Sequence, residues 1–402
     1  MERVPVEVWQ HILLKVMETN DAPIFATSCT PYTFLAFTDL HNGWQPYRKP
    51  HLDYLAQRRC LRLVCRAWNE MVLFTSHRWL QLDDWNLMDE QDWTTATRTK
   101  GEARPVEKLS TLICMSKTVT PALFSASQVL KRPASQSPLR AYILDLCVMP
   151  VAGYNPFDDF LIETTTTQDL EYTNTNTNTT LHLLSIATFR NINISISFSQ
   201  ISRTFTGLRS LFLFAVNAAP QQTVTLAHLE VLYVDSPSET LLEAMETWDT
   251  PALRHVFLGY FVMRLKGMLD HFLGRYAHQI ESLVLSETDA FPSSLHNLPS
   301  GFWAQFTALR LLGLDYRTLE YEGWSGWSVM PPPTHPCRYL VCRVRSNPSV
   351  ERAVDSIGSR WNWHDGVRLV VGYQGSYHYY VVENLRGGAP IMEKSNGVLP
   401  EL

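Results

Sequence analysis

A chain of 402 residues with 45% hydrophobic and 18% charged side chains has the composition of a folded globular protein, long enough for two or three domains or for one small domain and a repeat array. Its 34 Lys and Arg against 39 Asp and Glu set up no global field that would draw in nucleic acid or an anionic membrane, and neither is expected as a partner. No stretch approaches the roughly 18 to 20 apolar residues of a membrane span, and the seven cysteines form no CxxC pair, so a reducing, cytoplasmic or nuclear setting is expected.

The first predicted element is a helix. Pro5 suits a first turn, where a missing N–H costs nothing, and Glu7 favours the positive end of the helix dipole. Val8, Ile12 and Val16 recur every fourth residue beside a stripe of Trp9, Leu13 and Met17, a face wide enough to need a partner. A second helix carries Leu61, Val64, Cys65, Trp68, Met71 and Val72 at helical spacing, with Arg58, Arg59, Arg62 and Arg66 on the remaining face. From Asp83 to Asp92 the charge turns acidic, which reads as the start of a linker over 83–105.

From 106 to 345 an apolar hexad of the form Leu-x-x-Leu-x-Leu recurs. It occurs at Leu208-Leu211-Leu213, Leu229-Leu232-Val234, Leu253-Val256-Leu258, Ile280-Leu283-Leu285 and Leu309-Leu312-Leu314, with starts 21, 24, 27 and 29 residues apart. Weaker copies stand at Leu109-Leu112-Cys114, Ala141-Leu144-Leu146, Leu181-Leu184-Ile186 and Cys337-Leu340-Cys342. Segments with helical spacing, Glu239 to Trp248 and Met263 to Tyr276, lie between copies. A short strand and a helix repeated every 20 to 29 residues is the signature of a leucine-rich repeat, a unit that must stack on its neighbours to bury its face. An ordinary α/β domain with Leu-rich strands is the competing reading, since the spacing drifts and the usual Asn after the hexad is missing.

The Thr-rich runs at 164–167 and 173–180 are read as a mobile surface loop. In the last region, 346–402, a helix is expected over Ser349 to Arg360, strands over Val367–Gly372 and Tyr377–Val382 that shield the end of the array, and loose order from Gly387 onwards.

The two amino-terminal helices carry a resemblance. Val4-Pro5-Val6-Glu7-Val8, with Ile12 following, resembles the opening of an F-box, whose first helix usually begins Leu-Pro-x-Glu-Ile; Leu61-Arg-Leu-Val64-Cys65-Arg66-Ala-Trp68-Asn69 resembles its closing helix, Leu-x-x-Val-Cys-(Arg/Lys)-x-Trp. The likeness covers residues 3 to 80, and F-box proteins with leucine-rich repeats behind the box, a layout common in fungi, form a familiar class. Val4 stands where the family usually has Leu, and 21–50 is an insert where the family has a short connection.

The resemblance implies an α/β chain: an all-helical F-box-like module over 1–82, a linker over 83–105, a leucine-rich-repeat solenoid over 106–345 and a capping segment over 346–402. It implies a substrate receptor of a Skp-cullin-F-box ubiquitin ligase, with a Skp-family adaptor, and through it a cullin, as partners, and a protein substrate that the sequence does not identify. The adaptor-binding residues would be Pro5, Val6, Glu7, Val8, Ile12, Leu61, Val64, Cys65 and Trp68. Cys65 and Trp68 serve equally well as core of the module itself.

No enzymatic constellation accompanies these patterns. There is no HExxH, GxSxG, Walker A loop or GxGxxG. Cys60 with Cys65, and Cys337 with Cys342, have four residues between them, a poor zinc spacing, and His77, His364 and His378 have no partner at a recognisable distance. Neither cofactor nor metal nor catalysis is expected. An adaptor raises the effective concentration of a target near enzymes that act on it. A repeat scaffold or ligand sensor without a ligase role is the alternative, and a hydrolase or transferase with an unrecognised site is a third.

Within each hexad the fourth and sixth residues should point into the core and the third and fifth outwards. An exposed row for a protein target is therefore expected at Phe212, Tyr233, His255, Phe257 and Tyr339, with cover of that row by the carboxy-terminal segment or by an unusual repeat geometry as an equal alternative. Trp324 and Trp327, in a Gly-rich stretch, form a further candidate grip, with packing back on the array as their favoured use.

Overall fold

The computed structural model describes residues 8–9, 12, 59–61, 63–68, 79–82, 111–115, 141–146, 181–188, 195–219, 223–261, 269–287, 301–315, 331–344, 367–373, 378–383 and 391–396. They form a mixed α/β structure dominated by parallel strands, in two compact units whose long segments are Trp44–Phe212 and Leu213–Leu402. The insert 21–50, the linker 83–105, the Thr-rich runs, the helix expected over 349–360, and Trp324 and Trp327 lie outside the described residues.

In the first unit, strands β1 (Trp79–Leu82), β2 (Thr111–Met115), β3 (Ala141–Leu146) and β4 (Leu183–Thr188) pair parallel in chain order. Strand β5 (Ser210–Phe214) lies beside β4. The ladder thus starts at Trp79, inside the segment read as the helical module. Leu112 pairs with Tyr142, and Tyr142 with Leu184. The third hexad therefore runs Leu139-Tyr142-Leu144, two residues earlier than the Ala141-Leu144-Leu146 frame. A slip of two keeps every side chain on its own face, which is why the pattern alone did not detect it. Between β4 and β5, helix α1 (Phe198–Thr204) buries Phe198 and Ile201.

In the second unit, β6 (Val231–Asp235), β7 (His255–Phe261), β8 (Ser282–Glu287), β9 (Leu311–Asp315), β10 (Tyr339–Val344) and β11 (Arg368–Tyr373) form a run in which each strand from β7 on is parallel to the one before. Then the direction reverses. Strand β12 (His378–Glu383) runs antiparallel to β11, and β13 (Ile391–Asn396) antiparallel to β12. The first two of these carboxy-terminal strands fall where their β-branched and aromatic residues predict. The third corrects the expectation of loose order after Gly387: Ile391-Met-Glu-Lys-Ser-Asn is too polar to read as a strand alone, and becomes one because β12 offers its ladder.

Hexad register holds rung by rung. Leu232, Val256, Leu283, Leu312, Leu340 and Leu369 are successive Cα partners, and all six are buried. The first hexad residues Leu229, Leu253, Ile280, Leu309 and Cys337 are buried as well. One backbone device repeats under four successive rungs: the carbonyl before the hexad's third residue accepts two N–H groups from the next copy. Glu230 O takes Arg254 N and His255 N, Arg254 O takes Glu281 N and Ser282 N, Glu281 O takes Arg310 N and Leu311 N, and Arg310 O takes Arg338 N and Tyr339 N, all at 2.7–3.2 Å. Steps between those carbonyls are 24, 27 and 29 residues (230, 254, 281, 310), yet the strand register is unchanged. Drifting spacing is therefore absorbed in the crossovers.

The crossovers from β6 to β9 each carry a helical segment in their described part, whereas the described residues between β5 and β6 carry none. Helix α2 (Glu239–Glu246) begins at Ser238, whose hydroxyl accepts from Leu241 N at 3.1 Å and donates to Val216 O at 3.0 Å, and it buries Leu241, Leu242, Ala244 and Met245. The expected helix over 263–276 is observed, in its described part, as a run α3 (Leu269–Gln279) that passes from π through α to 3₁₀ geometry and buries Phe272, Leu273, Tyr276 and Ala277. The one-turn α4 (Phe302–Gln305) buries Phe302, stacked on Phe306 at 4.4 Å.

A polar clamp ties α2 to α3. The Tyr276 hydroxyl donates to Trp248 O and accepts from Thr250 N, both at 2.9 Å. Arg275 donates to Trp248 O at 3.1 Å and to Glu246 O at 2.8 Å, the latter a carbonyl that the end of α2 leaves open.

Candidate functional site

Two sets of residues were expected to face partners, and the structure treats them oppositely. The strand-face row is buried: Phe212, Tyr233, His255, Phe257 and Tyr339 are between 1% and 8% exposed. Tyr233 and Phe257 stack face to face at 4.1 Å, 2° from parallel. His255 Nδ1 lies 3.0 Å from Ser282 Oγ, a pair placed in register by neighbouring strands β7 and β8. Their row mates Val231, Ser282, Val284, Leu311 and Val341 are buried too. The expectation of an exposed target-binding row is thus corrected. Sheets buried on both faces have strands that read as continuous apolar runs, and Val231-Leu-Tyr-Val or Ser282-Leu-Val-Leu are such runs.

Tight packing on this face also explains two glycines. A Cβ on Gly259 would come within 2.6 Å of Asp235 Oδ1 and 2.8 Å of Phe257 Cε1, and one on Gly313 within 2.8 Å of Val284 Cγ2. The face leaves no room there for a side chain.

The amino-terminal helices behave differently. Val8, Trp9 and Ile12 are helical, as are the described residues between 59 and 68 on either side of Cys65. Trp9 and Trp68 meet with ring centroids 5.4 Å apart at 52°, so the two segments pack through an aromatic pair. Trp68 and Leu61 are half-buried, and Cys65 is exposed. Yet Val8 and Ile12 remain 44% and 40% exposed, and Val64 59%. Pro5, Val6 and Glu7 lie outside the described residues.

Leu63, which the helical pattern passed over, is 85% exposed. It falls on the face it shares, at i−4 and i+3, with Arg59 and Arg66, and an apolar residue among arginines was the available signal. Fully covering a Val, Leu or Ile side chain contributes roughly 1.5–3 kcal/mol, so a partner that covers Val8, Ile12, Leu63 and Val64 together would gain a substantial apolar anchor.

The chemistry available elsewhere is limited. Among the described residues no three His, Cys, Asp or Glu side chains gather as a metal ion would require. Cys337 is buried and its thiol is pushed up to about 12 by that burial, which makes it inert near neutrality. Among the described residues, no helix is long and apolar enough to cross a membrane. No known protein family matches the chain, and no curated protein resembles it in sequence.

Proposed function

We propose that the chain is a substrate receptor of a Skp-cullin-F-box type ubiquitin ligase. The amino-terminal helices act as an F-box that holds a Skp-family adaptor, and a leucine-rich-repeat solenoid carries the surface for a protein target. One observation supports this above others: Val8, Ile12 and Val64, which occupy positions of the F-box-like pattern, project exposed apolar side chains from two helices joined by Trp9 and Trp68. Interfaces of this kind combine an apolar centre with an aromatic support. The solenoid reading draws its support from parallel rungs in chain order, with helical segments between β6 and β9. Since the strand-face row is buried, target recognition on this reading belongs to the crossovers. The chain then supplies proximity and its partners supply bond formation.

Co-expression with a Skp-family adaptor and size-exclusion chromatography test the reading. Co-elution of the wild-type chain, lost in the Val8→Glu and Val64→Glu variants with unchanged far-UV circular dichroism, is the expected result. Failure of the wild type to co-elute would favour a repeat scaffold without a ligase role, and co-elution of both variants would remove the assigned face.

A further inference from the structure

The entry to β10 departs from that of four other rungs. In four copies the first hexad residue donates its N–H to the carbonyl three residues earlier: Leu208 to Phe205, Leu229 to Leu226, Leu253 to Thr250 and Leu309 to Phe306, each at 3.1 Å. Cys337 holds the same place at the entry to β10. Its N–H instead donates to Nδ1 of His335, at 3.1 Å. The other ring nitrogen, Nε2, lies 3.0 Å from Phe306 O, the carbonyl that already accepts from Leu309 N and closes the preceding crossover. A titratable ring thus replaces a backbone carbonyl and spans two consecutive copies.

These contacts settle the ring's state. Nδ1 must be the acceptor, because a backbone N–H can only donate; Nε2 must carry the hydrogen, because a carbonyl can only accept. His335 is therefore neutral, and it is buried, with Trp303 edge-on at 4.8 Å. We propose that His335 is a protonation-sensitive latch that fastens β10 to the crossover ending at Phe306 and releases it in acid.

Protonation would turn Nδ1 into a donor facing the Cys337 N–H, so that one hydrogen bond becomes a contact between two donors in a buried site. The surrounding charges do not offset this. Among the described residues, α4 presents no ionisable side chain, β10 and its approach present the neutral Cys337 thiol, Tyr339 and Arg338, and β9 is entered through the exposed Arg310. Arg338 donates to His335 O at 2.5 Å and Cys337 O at 3.2 Å, and its positive charge opposes a second one beside it. In keeping with the geometry, burial holds the His335 pKa below 6.5. The sign follows. The closed latch is fully stable above about pH 6.5, the unfolded value, and loses stability as pH falls towards and through the lower folded value. Within that window the opening equilibrium rises by up to about tenfold per pH unit.

Hydrogen exchange of the full-length chain, measured by mass spectrometry from pH 7.5 to 5 and corrected for the intrinsic pH dependence of exchange, tests the proposal on peptides covering 331–344. The expected result is a loss of protection on acidification there, several-fold greater than in peptides covering 229–235. His335→Asn keeps an acceptor near the Nδ1 position without titrating, and should make protection in 331–344 independent of pH; His335→Gln, without that acceptor, should show the acid level of exchange at every pH. Wild-type protection that does not change with pH overturns the latch. So does a pH dependence that survives in His335→Asn, and if that variant fails to fold, the wild-type comparison of the two peptides decides alone.

Discussion

Substituting Gly313 by Ala probes both the register of the ladder and the burial of its second face. The new Cβ would sit 2.8 Å from Val284 Cγ2, 3.0 Å from Cγ1 and 3.2 Å from Cβ, where carbon atoms prefer 3.5–4.0 Å. Both Val284 methyls face the intrusion, and a β-branched side chain has no easy rotation away from it. Overpacking of this kind costs about 1–3 kcal/mol, offset by roughly 0.5–1 kcal/mol from the lost freedom of glycine in the unfolded chain, for a net cost of about 1.5 kcal/mol. Val284→Ala alone removes two buried methyl groups at roughly 0.8 kcal/mol each, and with a cavity term costs about 2 kcal/mol.

If the two sites were independent, the double variant would lose the sum, about 3.5 kcal/mol. In the structure the added methyl occupies the space the valine vacates, leaving only the Cβ–Cβ approach tight. The double variant should then cost about 1.5–2 kcal/mol, a favourable coupling of about 1.5–2 kcal/mol. Urea denaturation followed by circular dichroism, with midpoints compared at constant slope, measures it. Additivity within about 0.5 kcal/mol would mean that Val284 and Gly313 are not partners on one face, and the rung-by-rung register would fail with it.

Other expectations concern single groups. Ser238→Ala removes the cap of α2 and its bond to Val216 O, and should cost about 1–2 kcal/mol in the same denaturation assay. Tyr276→Phe leaves the buried Thr250 N–H without the hydroxyl it donates to, a loss of roughly 1–3 kcal/mol; Thr250→Val should instead be neutral or stabilising, because the buried Thr250 hydroxyl makes no hydrogen bond among the described residues. Alkylation at pH 8 followed by peptide mass mapping should label Cys60 and Cys65 in the native chain, and Cys337 only after unfolding. Native labelling of Cys337 at a similar rate would contradict its burial.

The parallel ladder was legible because each rung spends three large apolar residues at fixed offsets, and burial leaves that pattern little freedom. What the pattern could not carry was the frame at Tyr142, where an aromatic residue takes a leucine's place, and β1, whose short Trp79-Leu-Gln-Leu lies outside the hexad series. Alternation tells which residues share a face and not what lies over that face, so it leaves both an open and a covered row from Tyr233 to Tyr339 possible. Its apolar content, Val231, Phe257, Val284, Leu311 and Val341, points to the covered one. Leu63 was hidden for the converse reason: an isolated leucine among arginines breaks no periodicity. The His335 latch needed coordinates, since only the comparison of backbone hydrogen bonds across copies reveals that this ring stands in for a carbonyl.

Because each copy takes its alignment from a single carbonyl immediately before the strand, length changes in one crossover do not propagate to the next. Residues can be gained or lost between one strand and its successor while the buried leucines stay aligned. Such a framework separates what must be kept from what can vary: new surface can be tried on the outside of the molecule, one connection at a time, with little risk to the interior.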